Sequence, residues 1–150
     1  MRLWSYQLIP ALPDKMLVSQ WRELIAIKRQ WEKGILKHRL VSYIQNYSKL
    51  YFLNYILAVK KELDNRHIKY SRKLFLELYD FCSEPFWMDK KEIDTFYPEH
   101  NDRYKRQCFY NLQEKYDCGR INHADWERIL KFYLVEPNDD QLHGDDEIIF

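Results

Sequence analysis

The sequence predicts an all-α protein: a compact, single-domain bundle of about four to five helices with a flexible acidic C-terminal tail. Three observations lead there. Apolar residues recur at helical spacing in one stretch after another. Only three Gly and five Pro occur among 150 residues, which suits long regular elements better than a turn-rich β sandwich. Hydrophobic residues make up 46 % of the chain and aromatics 17 %, enough for one core and too many for a disordered chain.

The elements follow in chain order. Pro13-Asp14 offers a helix start and Gly34 a stop. Between them Leu17, Trp21, Leu24 and Lys28 share a side, with Val18 and Ile25 beside them. In residues 47–64 Tyr47, Leu50, Tyr51, Phe52, Leu53, Ile56, Leu57 and Val59 cover nearly the whole circumference, which predicts a helix central to the core. Residues 72–82 form a short amphipathic set through Leu74, Leu78 and Phe81. Residues 83–98 read as a loop packed by Phe86, Trp87 and Tyr97. A helix from about 101 to 118 runs through Tyr104, Cys108, Leu112 and Tyr116, with Gly119 just past its end. Asn122 is placed to cap a last helix carrying Trp126, Ile129, Leu130 and Tyr133. The helical domain is therefore expected over residues 1–135. Residues 136–150, with six acids and no Lys or Arg, are expected to be the tail. No strand pair and no internal repeat is predicted.

Much chemistry finds no residues to carry it. There is no glycine-rich phosphate loop. The five His are scattered singly and the three Cys form no CxxC, so no zinc site is expected and each His reads as a surface or loop residue. Cys108 reads as a small core residue. The odd cysteine count and the absence of a secretory signal or a membrane-length apolar run point to free thiols in a reducing cytoplasm.

The net charge of +1 conceals an asymmetry. Residues 1–73 hold 15 Lys and Arg against 5 Asp and Glu, and residues 74–150 hold 9 against 18. Either one half faces a polyanion or the two halves neutralise each other across the fold. A second question is local. In SQWRELIAIK, residues 19–28, Arg22 and Glu23 interrupt an apolar run. They ride a solvated stripe or form a working surface. Ser19 and Ala26 are small and lie a turn from Glu23, so the carboxylate stays approachable beside a basic ridge.

The opening MRLW followed by LPDKMLVSQWREL, and more weakly NLQEKYD at 111–117, resembles the pyrimidine-dimer DNA glycosylase (endonuclease V) family, in a branch that opens MRLW. The resemblance implies an all-helical enzyme without cofactor or metal, acting on double-stranded damaged DNA as a monomer. It implies excision of the damaged base by the N-terminal α-amine, aided by a Glu on the first helix, and strand nicking by β-elimination. Glu23 falls on that Glu, Arg2 on an Arg beside the terminus, Arg22 on the Arg before the Glu, and Lys115 on a late-helix Lys near DNA. Since Arg2 follows Met1, the amine is expected to be that of Met1. The sequence departs from the family pattern at Met16, where a His is expected, and at Ala26 and Asn111, where Arg is expected. An acidic tail replaces an aromatic, basic C-terminus, for which Trp126, Lys131, Phe132 and Tyr133 are candidate substitutes.

That chemistry makes physical sense. An α-amine has a reference pKa of ~7.7–8.0, so roughly a tenth to a fifth is nucleophilic at neutral pH. A carboxylate stabilises the positive charge that develops at the sugar carbon and can assist proton transfer. Arg22, Lys28, Arg29, Lys33, Lys37 and Arg39 then supply a stripe able to follow a DNA backbone. Two other readings stand beside this one: a non-catalytic helical nucleic-acid-binding module, and a helical protein whose basic half docks an acidic partner.

Overall fold

A computed structural model describes residues 1–83 and 95–135. Most of the predicted 83–98 loop, including Phe86 and Trp87, and the whole predicted tail lie outside the described residues. Among the described residues five α-helices follow one another: α1 (Asp14–Glu32), α2 (Lys49–Asn65), α3 (Arg72–Cys82), α4 (Asp102–Asp117) and α5 (His123–Val135). Two 3₁₀ segments, Tyr6–Ala11 and Ser42–Asn46, precede α1 and α2. Among the described residues there is no strand, as predicted.

The helix ends are written in local chemistry. Ser71, Asn101 and Asn122 accept from the backbone N–H three residues on, at 3.2, 2.9 and 2.7 Å, starting α3, α4 and α5. α1 and α4 end in left-handed turns at Gly34 (φ 69°) and Gly119 (φ 82°). There the Ile35 N–H reaches back to the Gln30 carbonyl at 3.0 Å and the Arg120 N–H to the Lys115 carbonyl at 2.8 Å. α2 closes in the same way, with the Ile68 N–H on the Leu63 carbonyl at 2.9 Å, but the left-handed residue is His67 (φ 58°). The turn swings residues 68–71 back over α1, where Tyr70 packs on Trp21 with ring centroids 5.0 Å apart.

α2 is central, as its nearly continuous apolar surface predicts. It packs against α1, α3 and both 3₁₀ segments, and buries Leu50, Phe52, Leu53, Tyr55, Ile56, Val59 and Leu63. Leu57 is the departure, at 39 % exposed. The less expected part of the core is the N-terminus. Leu3, Leu8, Ile9, Ala11 and Leu12 are fully buried, with α2, α4 and α5 packed around the first 3₁₀ segment. Arg66 locks this entrance. Its guanidinium donates to the carbonyls of Leu12 (2.6 Å) and Pro10 (2.9 Å) and to Asp14 (2.9 Å) and Glu62 (2.8 Å), joining the end of α2 to the start of α1.

One sequence expectation is corrected in part. His100 stands in the loop that leads into α4, but it is buried there, 4 % exposed, and is not a surface histidine. Its Nδ1 accepts the Tyr6 N–H at 3.2 Å, so the neutral ring carries its proton on Nε2, 2.6 Å from the Tyr43 hydroxyl. Burial holds its pKa down at about 4, against 6.5 for a free imidazole. Between these values the unfolded chain binds a proton that the folded chain excludes, so the neutral ring's contribution is complete above about 6.5 and lost as pH falls toward about 4. In urea titrations the stability gap between wild type and His100→Gln should narrow steadily across that window. A gap independent of pH would mean that the buried ring accepts a proton freely.

Candidate active site

Residues 2–5 form no regular element and run among the helices up to the first 3₁₀ segment, and an irregular segment inside a core must satisfy each peptide group. Here side chains do what a neighbouring strand would do. Gln20 of α1, 1 % exposed, is the central one. Its Nε2 donates to the Arg2 carbonyl at 2.9 Å, and its Oε1 accepts the Trp4 N–H at 2.9 Å. Because one partner is an acceptor and the other a donor, the amide fits only one way round. The Tyr55 hydroxyl of α2 shares its proton between the Trp4 carbonyl (2.6 Å) and Gln20 Oε1 (3.0 Å). From α4, the Tyr104 hydroxyl donates to the Leu3 carbonyl at 2.5 Å and Cys108 Sγ accepts the Ser5 N–H at 3.4 Å. Burial raises the pKa of both tyrosines and of the Cys108 thiol, so the donors keep their protons. Cys108 is thus a core residue, as its helix face predicts.

Glu23 stands one turn beyond Gln20 on α1, half-buried. Its Oε2 accepts the Arg2 N–H at 3.3 Å and is 3.5 Å from Gln20 Nε2. The carboxylate is therefore held against the peptide bond between Met1 and Arg2. Arg2 turns its guanidinium over the Trp4 ring, 4.9 Å from the centroid. An open cleft of about 350 Å³ lies at this place, and Met1, Arg2, Glu23 and Lys115 all line it.

Of the residues singled out in the sequence, these four converge. Arg22 does not line this cleft; it is exposed and faces the adjoining grooves with Lys15 and Lys69. Arg29 is exposed two turns further along the same stripe. Lys28, also on the expected stripe, pairs with Glu32 at 2.8 Å. Met16 and Asn111, two of the departures from the family pattern, line the cleft itself. Trp126 is buried, stacked on Tyr116 and Phe109, and Tyr133 lies flat on Phe109 at 4.0 Å, so both rings hold α5 on α4. Ser19, expected beside Glu23 from helix spacing, does line the cleft, whereas sequence reasoning missed Gln20, Trp4 and Glu114 as parts of this site. The one signal was Gln20 itself, a polar residue directly before buried Trp21. Among the described residues no group of three or more His, Cys, Asp or Glu could hold a metal.

Fold and site together define an all-α protein that presents its N-terminal residue and a carboxylate in one open cleft. A family described as pyrimidine dimer DNA glycosylase matches residues 1–76, just over half of the chain, and the protein belongs to that family. The matched part spans the N-terminal segment, α1, α2 and the start of α3, and so includes Gln20 and Glu23 but not Lys115. No curated protein and no solved structure matches. Membership implies DNA glycosylase activity and a DNA substrate. No described helix is long and apolar enough to cross a membrane.

The Gln20 network predicts a large effect from a small change. Gln20→Met keeps the volume but leaves the Arg2 carbonyl and the Trp4 N–H without partners. At ~1–3 kcal/mol for each buried group, unfolding should become easier by roughly 2–4 kcal/mol. A shift of the urea midpoint at unchanged slope measures this.

Proposed function

We propose that the protein is a bifunctional glycosylase and abasic-site lyase, acting on pyrimidine dimers or related damaged bases, with the α-amine of Met1 as nucleophile and Glu23 as its helper. Residues 1–135 constitute the enzymatic domain, which works as a monomer in the cytoplasm without a cofactor, and residues 136–150 are an acidic tail. The hydrogen bond from the Arg2 N–H to Glu23 supports this reading, because it holds a carboxylate at the first peptide bond, in an open cleft that Met1 also lines.

The chemistry proceeds in two stages. The amine nitrogen bonds to C1′ as the glycosidic bond breaks, and that bond's electron pair leaves with the pyrimidine. Positive charge on the sugar at this point is stabilised by the Glu23 carboxylate. Loss of a proton from nitrogen and opening of the sugar ring leave an imine between the chain and C1′. The imine makes the C2′ proton acidic; Glu23 accepts it, and the C3′–O bond breaks to release the phosphate. Water then hydrolyses the imine and frees the amine. The nucleotide reaches the cleft by leaving the base stack, at a cost of a few kcal/mol that is least at a damaged pair.

Arg2 and Lys115 hold phosphates at the cleft, and Arg22 and Arg29 hold the backbone beside it. Met16 and Asn111, which stand where the family pattern would put a His and an Arg, make this cleft less positive than that pattern would. Affinity therefore depends more on cations outside it.

Two measurements test the mechanism. Glu23→Gln removes the charge and keeps the shape, so nicking should fall by about 10²-fold or more while binding to lesion DNA stays within roughly tenfold. Undiminished nicking would take Glu23 out of the chemistry. Borohydride should trap the unmodified chain covalently on duplexes bearing an abasic site. Acetylating the amine, or adding residues before Met1, should abolish trapping, since even ~1 Å of misplacement can cost ~10²-fold. Trapping by a blocked chain would assign the imine to an internal Lys.

A further inference from the structure

A cleft of about 640 Å³, larger than the one at Glu23, lies at the α2–α3 connection. The two are joined by a run of grooves across α1. Ser19 lines both the Glu23 cleft and a shallow groove with Lys15 and Arg22. Arg22 continues into a groove with Lys69 and Tyr70, and these two line the large cleft with Arg72. Its floor is firm, because Trp21 packs on both Tyr70 and Phe75.

Charge along the run is one-sided. Its two acids are already neutralised: Asp14 pairs with Arg66 at 2.9 Å and Asp64 with Lys60 at 3.0 Å. Lys15, Arg22, Lys69 and Arg72 are all exposed, and none forms an ion pair with the described residues. Four uncompensated cations in a continuous groove fit a polyanion whose charges repeat along a line, which is a nucleic-acid backbone.

We propose that this run is a second DNA-contacting site: the duplex flanking the damaged nucleotide lies across α1, and its phosphates meet Lys15, Arg22, Lys69 and Arg72 as far as the α2–α3 connection. The inference rests on the reading of the Glu23 cleft as the place where DNA is processed. It extends the footprint to the turn that His67 closes, on the far side of α1 from Glu23. Phosphate contacts of this kind set register and affinity and leave base selection to the cleft.

The test uses duplexes with a central tetrahydrofuran abasic analogue, one of about one helical turn and one of about two and a half turns. Lys69→Ala/Arg72→Ala should weaken binding to the long duplex roughly tenfold and make its log–log salt dependence shallower by about 1.8, at ~0.9 per contact. Binding to the short duplex should change little. Lys61→Ala/Arg103→Ala removes the same charge away from the run and should leave the long-duplex slope unchanged. Melting temperature checks the fold. If the double variant unfolds, Lys69→Gln and Arg72→Gln singly should each remove about one contact. Equal slopes for wild type and the Lys69/Arg72 variants would overturn the proposal, as would an equal loss in the Lys61/Arg103 control. Neither outcome depends on catalysis. Failure of the unmodified chain to excise dimers or trap on abasic DNA would instead overturn the reading of the Glu23 cleft, whatever the slopes show.

Discussion

The structure depends on how residues 2–6 are held. A chain end with no helix or strand of its own would ordinarily fray, since ordering each residue costs about 1–2 kcal/mol of backbone entropy. Here burial of Leu3 and Trp4 and a ladder of side-chain hydrogen bonds offset that cost. The ladder draws one member or more from α1, α2 and α4, so it forms only when those helices are already in contact. The position of the chain terminus is therefore a tertiary property, and so is its placement beside Glu23. Gln20 links the two most directly, because its amide touches both the backbone of residues 2 and 4 and the carboxylate.

The charge asymmetry divides into two kinds of cation. Some basic residues of the first half are structural. Arg66 binds two carbonyls and two carboxylates at 13 % side-chain exposure, and Lys28 and Lys60 pair one turn along their own helices. Removing Arg66 would leave the Leu12 carbonyl with Arg128 alone and cut the link between the end of α2 and the start of α1, whereas i,i+4 pairs with a half-exposed acid are worth only a few tenths of a kcal/mol. Lys15, Arg22, Lys69 and Arg72 are of the other kind, standing open along one run of grooves. Net charge by half cannot separate these roles, because it does not register which acids are within reach.

The aromatic residues divide in the same way. A chain with twelve Tyr and five Trp has many candidates for stacking on an extruded base. Trp21, Trp126, Tyr55 and Tyr97 are spent on the interior, and Tyr43, Tyr97 and Tyr104 enclose the ring of His100. A histidine in that aromatic shell, with both nitrogens engaged, is a packing element. Its one sequence neighbour of note is the Asn101 cap, which gives no hint of burial.

Helix identity and helix ends were legible in the sequence because they depend on near neighbours: apolar spacing along α1, α2, α4 and α5, caps at Asn122, and left-handed closures at Gly34 and Gly119. The central place of α2 was legible too, since a helix apolar nearly all round has nowhere else to go. Glu23 was visible as a charge interrupting an apolar run, and MRLW and WREL were visible as a pattern shared with a family. Only the tertiary structure decided that Leu3, Trp4, Leu8, Ile9, Ala11 and Leu12 are core, that Gln20 and not a helix cap holds the chain end, and that Lys115, 92 positions after Glu23, shares its cleft. It also decided that Arg22 faces away from that cleft. The physical reason is range. Propensity, capping and periodicity act over about four residues and leave their mark in the local sequence. The site is assembled by hydrogen bonds and packing between segments tens of residues apart, whose partners no local pattern records.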